Sequence, residues 1–418
     1  MATIKPFHCI RPKEEVAAQV AALPYDVYNR KEACEEVKNK PLSFLRIDRA
    51  ETSFDDSVDT YDEKVYAKAK ELLEQQMNEG VFLKETAPCY YIYELSMQGR
   101  AQTGIVAIAS VDDYLNNVIK KHELTREEKE QDRIRHVDTC NAQTGPIFLA
   151  YRGKETINAI VDQAKLTKPL YQFVSDDGVG HVVWVINKEE DVKTIADCFG
   201  AINEIYIADG HHRAASAVKV ALKRREAAAL AGKTDDSAEY NFFLSVLFPD
   251  SQLKILDYNR AVKDLNGLTK DEFLAKVSER FVVSERGTAA VAPQRKATFG
   301  MYLDETWYEL EAKEEIKEIN DPVKALDVAI LQDNLLSPIL GISDPRTNNR
   351  IDFIGGIRGL AELERRVNSD MTVAFAMYPT SIGELFDVAD ANLLMPPKST
   401  WFEPKLRSGL FIHGLEDN

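Results

Sequence analysis

Alternating apolar and polar stretches predict a mixture of helices and strands in the first part of the chain. The stretch Asp62–Met77 places apolar residues at helical spacing, which predicts an amphipathic helix that ends near Gly80. Two stretches rich in aromatic and β-branched residues follow, Cys89–Ser96 and Thr103–Ser110. The polar turn Gln98–Arg100 between them predicts a β-hairpin.

The segment Lys120–Asn141 departs from this pattern because it is highly charged and poor in large apolar residues. It predicts either a solvated helix or a functional segment, and a strand at Ile147–Tyr151 ends it. A second hairpin is expected from Leu170–Val174 and His181–Asn187, and a helix from Glu189–Phe199.

Near the middle of the chain, a short apolar strand and an alanine-rich helix flank a polar turn. The strand is Ile205–Ile207, the helix runs through Ala214–Leu222, and the turn reads DGHHR at Asp209–Arg213. The stretch Glu204–Ala217 therefore predicts a strand, a tight turn and a helix N-terminus.

The remaining pattern predicts a helix from about residue 268, five strands and two further helices. The strands are Tyr240–Phe248, Phe281–Ser284, Thr298–Leu303, Trp307–Leu310 and Met371–Met377, and the further helices are Asp321–Gln332 and Ser381–Ala389. Because strands and helices alternate without a strict βαβ rhythm, we expect a mixed-sheet α+β or α/β fold with flanking helices.

The length of the chain predicts more than one domain. We expect residues 1–315 to form a main domain that contains the DGHHR turn, with a sub-boundary near residue 150. Residues 316–418 would form a smaller C-terminal portion that contributes loops to the cleft. The charged stretch Glu311–Pro322 is the expected linker.

Composition excludes several classes of protein. The 418 residues include 52 Lys plus Arg and 68 Asp plus Glu, a net charge of −16, so nucleic-acid binding is not expected. Five widely spaced cysteines without a CxxC pair argue against a disulfide framework or a zinc ribbon. The apolar runs are shorter than a membrane span of about 18 residues, and the N-terminus has no signal-peptide pattern. We expect a cytoplasmic protein without membrane contact.

The DGHHR turn carries the strongest chemical signal. The first turn of a helix presents unpaired N–H groups and a partial positive charge, and Gly210 lets a phosphate approach the backbone closely. Arg213 can add a bidentate contact to phosphate oxygens. Of His211 and His212, one is expected to face the ligand and the other to pack or cap. Asp209 can hold a metal-bound water or orient a histidine; the alternative is an ordinary N-cap with surface histidines.

The charged segment supplies candidate acids, bases and cations. Glu123, next to His122, is the best candidate general base because it directly precedes the expected helix. Within that helix, Asp132 and His136 fall at i and i+4 on one face, with Arg133 beside them. The alternative is a solvated, salt-bridged helix, which we prefer for its other acidic residues.

Two loops add candidates for substrate binding. Asp26 lies in the extended stretch Pro24–Val27, and Lys398 and Trp401 lie in the proline-rich stretch Met395–Lys405. The alternatives are a turn cap for Asp26 and an anchor of the C-terminal loop for Trp401. The sequence contains no GxGxxG, GxxxxGK[ST] or GxSxG motif, which argues against a Rossmann nucleotide site, a P-loop and a serine hydrolase.

Four segments together resemble the bacterial and archaeal domain-of-unknown-function 1015 family, over nearly the whole chain. They read PYDV, HELT with the following DRIRH, YIADGHHRAASA and MPPKSTWFEPKLRSGLFIH. The DGHHR turn also resembles the phosphate-binding loop of the ParB/sulfiredoxin-like superfamily, which includes free-serine kinases. In sulfiredoxin a cysteine occupies the third place of that loop, where this chain has His211, so thiol-based repair chemistry is not expected.

The second resemblance implies a ParB/sulfiredoxin-like core around the turn, and a nucleotide phosphate, as ATP or ADP with Mg²⁺, bound there. In this interpretation Asp209 is the metal ligand, and the cofactor-binding residues are Gly210, His211, His212, Arg213 and Arg133. The catalytic residues are Glu123, Asp209, His211 and His212. The substrate-binding residues are Asp26, His122, His136, Lys398 and Trp401.

The expected activity is that of a kinase acting on free serine or a related small hydroxy compound, with Glu123 or Asp26 taking the proton from the substrate hydroxyl. Two alternatives stay open: a nucleotide-binding regulatory protein that transfers no phosphate, and a metal-dependent hydrolase with histidine ligands. The expected partners are a nucleotide and a small-molecule substrate. The oligomeric state is open, with a homodimer as one option.

Overall fold

The structure is a computed structural model that describes residues 1–317 and 319–416, and it divides the chain into two units. The first unit comprises Met1–Leu253 and the segment from Pro404 onward, and the second comprises Lys254–Glu403. The boundary predicted near residue 315 falls inside the second unit. The stretch that suggested a linker contributes there to a strand, Thr306–Ala312, and a short helix, Glu314–Lys317; Glu318 lies outside the described residues.

Strands occur in both units. In chain order they are β1 (Ile4–Lys5), β2 (Ile10–Pro12), β3 (Phe82–Lys84), β4 (Tyr90–Met97), β5 (Arg100–Ser110), β6 (Ile119–Lys120), β7 (Ala142–Gln143), β8 (Ile147–Tyr151), β9 (Tyr171–Val174), β10 (Gly180–Ile186), β11 (Ile205–Asp209), β12 (Phe242–Pro249), β13 (Ile255–Leu256), β14 (Tyr258–Val262), β15 (Phe281–Gly287), β16 (Thr298–Leu303), β17 (Thr306–Ala312), β18 (Ile351–Gly355), β19 (Val373–Met377), β20 (Trp401–Phe402) and β21 (His413–Gly414).

Helices accompany the strands in each unit. In chain order they are α1 (Ala17–Val20), α2 (Arg30–Val37), α3 (Leu45–Asp48), α4 (Glu63–Asn78), α5 (Val111–Leu115), α6 (Glu127–Cys140), α7 (Glu155–Lys165), α8 (Glu189–Gly200), α9 (His211–Leu230), α10 (Lys270–Arg280), α11 (Glu314–Lys317), α12 (Asp327–Leu331), α13 (Leu360–Val367) and α14 (Ile382–Asp390). Among the described residues, none of the helices has the length and apolar character needed to cross a membrane. The predicted mixed α and β architecture is confirmed.

A nine-stranded mixed sheet forms the centre of the first unit. Its order is β6-β11-β8-β12-β5-β4-β10-β9, with β1 paired to β5. The pairs β6–β11 and β8–β12 are parallel, and the other pairs are antiparallel. Because β6 and β11 are parallel, the residue that follows β6 and the residue that follows β11 lie at the same edge of the sheet.

Two buried clusters hold the first unit together. One packs sheet residues such as Ile205 and Phe243 against Val218 of α9 and Phe199 of α8. The other surrounds Phe44 with apolar residues of the N-terminal helices and of α4, together with Ile412, which directly precedes β21. Burial of large apolar side chains contributes about 1.5–3 kcal/mol each, which fixes the strands and helices that carry the polar turn.

The second unit is built on a six-stranded antiparallel sheet. Its order is β15-β17-β16-β19-β14-β18, and a separate antiparallel pair joins β13 to β20. The side chain of Trp307 in β17 is fully buried, and its indole N–H donates a hydrogen bond to Glu364 of α13 at 2.7 Å. This bond anchors α13 over the sheet.

Several predicted elements are confirmed within a few residues. Helix α4 begins after its N-cap Asp62, and the β4–β5 hairpin turns at Gln98 and Gly99, both with positive φ. The predicted start of a helix at Asp321 is wrong. The Asp321 carboxylate accepts hydrogen bonds from the N–H groups of Val323 and Lys324, which makes a capped turn, and α12 begins only at Asp327.

Candidate functional site

A glycine in the left-handed region makes the turn between β11 and α9. Gly210 has φ +93° and ψ +30°, which residues with a Cβ adopt at a cost in free energy. A Cβ there would lie 3.3 Å from Nε of Arg213. Because the N-cap residue is glycine, no N-cap side chain accepts from the first-turn N–H groups of this 20-residue helix. The predicted strand, turn and helix N-terminus is confirmed, and it has the form of an anion site.

Asp209 is fixed at the end of β11 by two donors. The N–H of Gly210 donates to Oδ1 at 2.8 Å, and the Lys405 ammonium donates to Oδ2 at 2.9 Å. Burial alone would raise the pKa of Asp209, but the positive charges of Lys405 and Arg213 outweigh burial and hold it below its ordinary value. Asp209 is therefore a carboxylate at neutral pH.

Parallel pairing of β6 with β11 brings His122 and Glu123 to this turn. Ile119 is in register with Ile205, so the residues after β6 lie beside the residues after β11. The rings of His122 and His211 meet edge to face, with centroids 4.5 Å apart and planes at 88°. Oε2 of Glu123 lies 3.9 Å from Nδ1 of His211.

The two histidines of this pair are buried and neutral. Burial lowers the pKa of His122 to about 4. Burial, reinforced by the neighbouring His122, lowers the pKa of His211 well below its ordinary value. Nε2 of His211 is buried and has no hydrogen-bond partner in the part of the chain that the structure describes. A buried polar atom without a partner costs free energy, and a hydrogen bond between any bound group and this nitrogen would recover it.

His212 has a different role from His211. Its Nε2 accepts a hydrogen bond from the backbone N–H of Arg126, the residue before α6, at 3.0 Å. Its own carbonyl accepts from the Ser216 hydroxyl at 2.7 Å. His212 therefore ties the turn to the start of α6, as expected of the histidine that packs or caps. That His211 faces a ligand stays a prediction.

Arg213 lies against the neighbouring strand connection. Its Nη1 donates to the carbonyl of Pro146 at 2.5 Å, and its side chain passes close to Gly145. A small cavity of about 30 Å³ lies beside it and is also lined by Arg133 and His136. The structure therefore brings the predicted cations Arg133 and Arg213 to the wall of one cavity.

Arg133 and His136 are held mainly by structural contacts. The guanidinium of Arg133 stacks 4.0 Å from the centre of the Tyr25 ring and donates to Asp132 through Nε at 2.9 Å. Nε2 of His136 lies 3.1 Å from the carbonyl oxygen of Ile47. Burial and the charge of Arg133 lower the pKa of His136. The cofactor-binding role of Arg133 and the substrate-binding role of His136 stay predictions.

Asp26 is exposed and lines a second cavity of about 160 Å³, which also has Arg133 and His136 on its wall. Lys398 and Trp401 belong to the second unit. There the Trp401 ring meets the Tyr258 ring edge to face at 4.9 Å, and the Lys398 ammonium lies 5.5 Å from the same ring. Their part in substrate binding stays a prediction.

Sequence reasoning missed Lys405, the ion-pair partner of Asp209. The proline-rich stretch Met395–Lys405 was identified as functional, but its emphasis fell on Lys398 and Trp401. The available signal was a second lysine at the end of that stretch. No group of three or more His, Cys, Asp or Glu side chains able to hold a metal ion occurs within residues 1–317 and 319–416.

Comparisons with known proteins give one family and several distant structures. A family model described as "Protein of unknown function (DUF1015)" matches residues 4–329. Free serine kinase in complex with AMP is 14% identical with a TM-score of 0.36, covering 74% of this chain and 91% of that one. A free serine kinase variant in complex with ADP is 13% identical with a TM-score of 0.36, covering 76% and 93%. A conserved hypothetical protein from Pyrococcus furiosus is 14% identical with a TM-score of 0.33, covering 72% and 93%. No curated protein sequence gives a significant match.

Proposed function

The chain belongs to the family described as protein of unknown function (DUF1015), and on that premise we propose that it is a nucleotide-dependent phosphotransferase acting on a small hydroxy compound. The nucleotide phosphates would bind over Gly210 at the N-terminus of α9. The acceptor would be free serine or a related compound, because the DGHHR sequence resembles the phosphate loop of free-serine kinases.

One observation carries the proposal: a helix N-terminus without an N-cap side chain lies beside a buried imidazole nitrogen that lacks a partner. The first-turn N–H groups of α9 and Nε2 of His211 are hydrogen-bonding groups on the same turn. Phosphate oxygens accept hydrogen bonds from helix N-termini, and a neutral imidazole can donate one more. An anionic ligand at Gly210 would therefore satisfy groups that the protein leaves unsatisfied.

The charges at the turn suit a phosphate that arrives with a divalent cation. Asp209 alone would repel a phosphate, whereas Lys405 and Arg213 attract one. Mg²⁺ in nucleotide sites keeps several waters and needs only one or two carboxylates besides the phosphate oxygens. Asp209 would be its protein ligand, through lone pairs of oxygens that also accept from Gly210 and Lys405. When bound, the ion would neutralise negative charge on the phosphates.

Glu123 is the proposed general base. Its carboxylate is about half exposed, with the side chain 49% accessible, and lies 3.9 Å from the neutral His211. In the transfer, the acceptor hydroxyl oxygen forms a bond to the terminal phosphorus, the bond from that phosphorus to the nucleotide oxygen breaks, and the hydroxyl proton passes to Glu123. With its single N–H on Nε2, the neutral His211 would donate to a phosphate oxygen.

A nucleotide-binding regulator without phosphoryl transfer is the second candidate, favoured by the bond between His212 and the N–H of Arg126. Through that bond, a ligand that moves the turn would also move the start of α6. Such a coupling needs no base, so Glu123 would be dispensable for it.

The experiment is a product assay with the full chain. Purified protein is incubated with Mg²⁺, ATP or ADP, and serine or another small hydroxy compound, and phosphorylated product is measured by mass spectrometry. We expect Glu123→Gln to lower kcat by at least about 100-fold while nucleotide affinity changes little. Glu127→Gln, an exposed neighbour in α6, is the matched control and should keep full turnover. Nucleotide binding without product for any acceptor, in the wild type as well, would support the regulator instead.

A further inference from the structure

A third cavity in the first unit, of about 630 Å³, is lined by none of the residues of the DGHHR turn. Its wall comes from the N-terminal helical region, from the β9–β10 hairpin and from Arg407. Pockets that hold small molecules typically measure about 300–1,000 Å³. The cavity therefore has room for a metabolite of ordinary size.

Charged groups of both signs line this cavity, and they are paired with one another. Arg407 donates to the Asp177 carboxylate at 2.5 Å. The Lys40 ammonium contacts the carboxylates of Glu36 and Asp176 at 2.6 and 2.8 Å. Two cations and three carboxylates thus face one space, an arrangement that offers partners for an anionic and a cationic group together.

The guanidinium of Arg407 is held in place by a buried polar network. Its side chain is only 3% exposed, and besides Asp177 it contacts the Ser175 hydroxyl at 3.1 Å. Ser175 Oγ lies 2.9 Å from Nε2 of His181, whose Nδ1 lies 2.8 Å from the Tyr93 hydroxyl. Burial of a charge is expensive, and an apolar side chain would fill the same space at lower cost. The network keeps one guanidinium oriented on the cavity wall.

His181 helps to orient Ser175 and, through it, Arg407, but it carries no charge. Its ring lies between the rings of Tyr93 and Phe173, stacked at 25° to each. Burial, together with the charge of Arg407, lowers the pKa of His181 to about 3, so it is neutral at physiological pH. The positive charge at this end of the cavity therefore belongs to Arg407.

The wall also has an apolar part that is not covered by other side chains. Leu23 and Leu42 are half-buried, and Val174, in the edge strand β9, is 70% exposed. Apolar side chains beside a charged group form the usual pattern of a small-molecule site, in which polar groups orient the ligand and apolar groups hold its body.

We propose that this cavity binds a free α-amino acid, with its carboxylate at Arg407 and Lys40, its ammonium at Asp177 and the neighbouring carboxylates, and its side chain on Leu23, Leu42 and Val174. A simple anion would leave Asp177 or Glu36 without its partner, and a simple cation would leave Arg407 without one. A zwitterion replaces both partners of an ion pair, because its carboxylate takes the place of Asp177 at Arg407 and its ammonium takes the place of Arg407 at Asp177. The site does not depend on the proposed phosphotransfer.

The experiment is a calorimetric titration of the full chain with each standard α-amino acid at concentrations up to about 10 mM. We expect saturable binding of at least one amino acid with an apolar side chain. The corresponding amine and the corresponding carboxylic acid, each lacking one charge of the zwitterion, should bind about tenfold more weakly or not at all.

Variants locate the binding. Lys40→Gln and Asp177→Asn should each weaken it about tenfold, whereas Lys38→Gln, an exposed lysine two residues away, should change it less than about twofold. Glu123→Gln should leave it unchanged. The proposal is overturned if no amino acid binds, if Lys40→Gln and Asp177→Asn bind as the wild type does, or if Glu123→Gln alone abolishes binding, which would place the amino acid at the DGHHR turn.

Discussion

Lys405 and Asp209 form an ion pair of 2.9 Å although 196 residues separate them in the sequence. Their side chains are 19% and 34% exposed, so the pair is largely but not fully shielded from solvent. It joins the segment that returns to the first unit after the second unit to the last residue of β11. The charged state of Asp209, the first residue of the DGHHR turn, therefore depends on a residue near the far end of the chain.

Lys405→Gln should destabilise the first unit at neutral pH, by about 1–2 kcal/mol after allowance for partial exposure. The variant leaves a desolvated carboxylate with less compensation, because only Arg213 and the Gly210 N–H still oppose the effect of burial. Urea unfolding at pH 7 measures the change. Lys233→Gln, in an exposed loop, is the control and should stay within about 0.5 kcal/mol of the wild type.

The same pair predicts a pH dependence. The pKa of Asp209 is lower in the folded state than in the unfolded state, so its stabilisation is present above the ordinary value of 3.8 and is lost as the pH falls through the folded value. The difference between wild type and Lys405→Gln should therefore be constant from pH 5 to 8 and shrink below about pH 4. A difference that grows as the pH falls would contradict this assignment.

Gly210→Ala should combine backbone strain with a loss of ligand binding. A non-glycine residue in the left-handed region costs about 1–2 kcal/mol, and here the new Cβ would also press on Arg213. Gly99→Ala is a matched control, since Gly99 has φ +78° and nothing within 4 Å of a new Cβ. Thermal melts should show similar losses for both variants. Titration with Mg²⁺ and ATP or ADP should show about tenfold weaker binding for Gly210→Ala only; equal affinity in both variants would argue against a phosphate at Gly210.

Protonation of His122 should lower the free energy of unfolding in mild acid. Its folded pKa of about 4 lies below the ordinary 6.5, so the unfolded chain binds the extra proton first and stability falls as the pH drops from 6.5 to 4. The full effect is about 3 kcal/mol. Unfolding of wild type and His122→Phe between pH 7 and 4 should show a shallower loss in the variant. An NMR titration of the ring with a midpoint near 6.5 would disprove the interpretation.

Arg133→Lys should destabilise the protein although the charge is kept. Lysine lacks the planar guanidinium that stacks on Tyr25, donates one hydrogen bond to Asp132 through Nε and forms an ion pair with the same carboxylate through Nη2. We expect a loss of about 1–2 kcal/mol in urea unfolding. Arg135→Lys on the same helix is the control for an Arg-to-Lys change at a surface position. Arg135 is half exposed and its contact with Glu63 is 3.6 Å long, so this variant should lose at most about 0.5 kcal/mol of stability. Equal losses would mean that the Tyr25 stack contributes nothing.

Much of the fold follows from local sequence patterns. Helix α4 was predictable because its apolar residues keep helical spacing and Asp62 caps it. The start of α12 was not, since the helical spacing continues through a turn that the Asp321 side chain stabilises. Spacing reports which residues could share a face, whereas a local side-chain bond decides whether the helix forms there.

The candidate site divides in the same way. The DGHHR turn was predictable because strand, glycine and helix are consecutive in the chain. The proximity of Glu123 to His211 depends on the parallel pairing of β6 and β11, and the contact of Lys405 with Asp209 depends on the return of the chain to the first unit. Residue type and spacing do not encode such long-range contacts, which sheet order and tertiary packing create.

The return of the chain also sets an order in time. During synthesis the residues of β11 and α9 emerge well before Lys405, with the whole of Lys254–Glu403 made in between. Until Lys405 has been made, Asp209 lacks its main counter-charge. A negatively charged carboxylate without that counter-charge repels a phosphate. Under the proposed function, the DGHHR turn of the nascent protein would therefore become able to bind phosphate only after Lys405 has been translated.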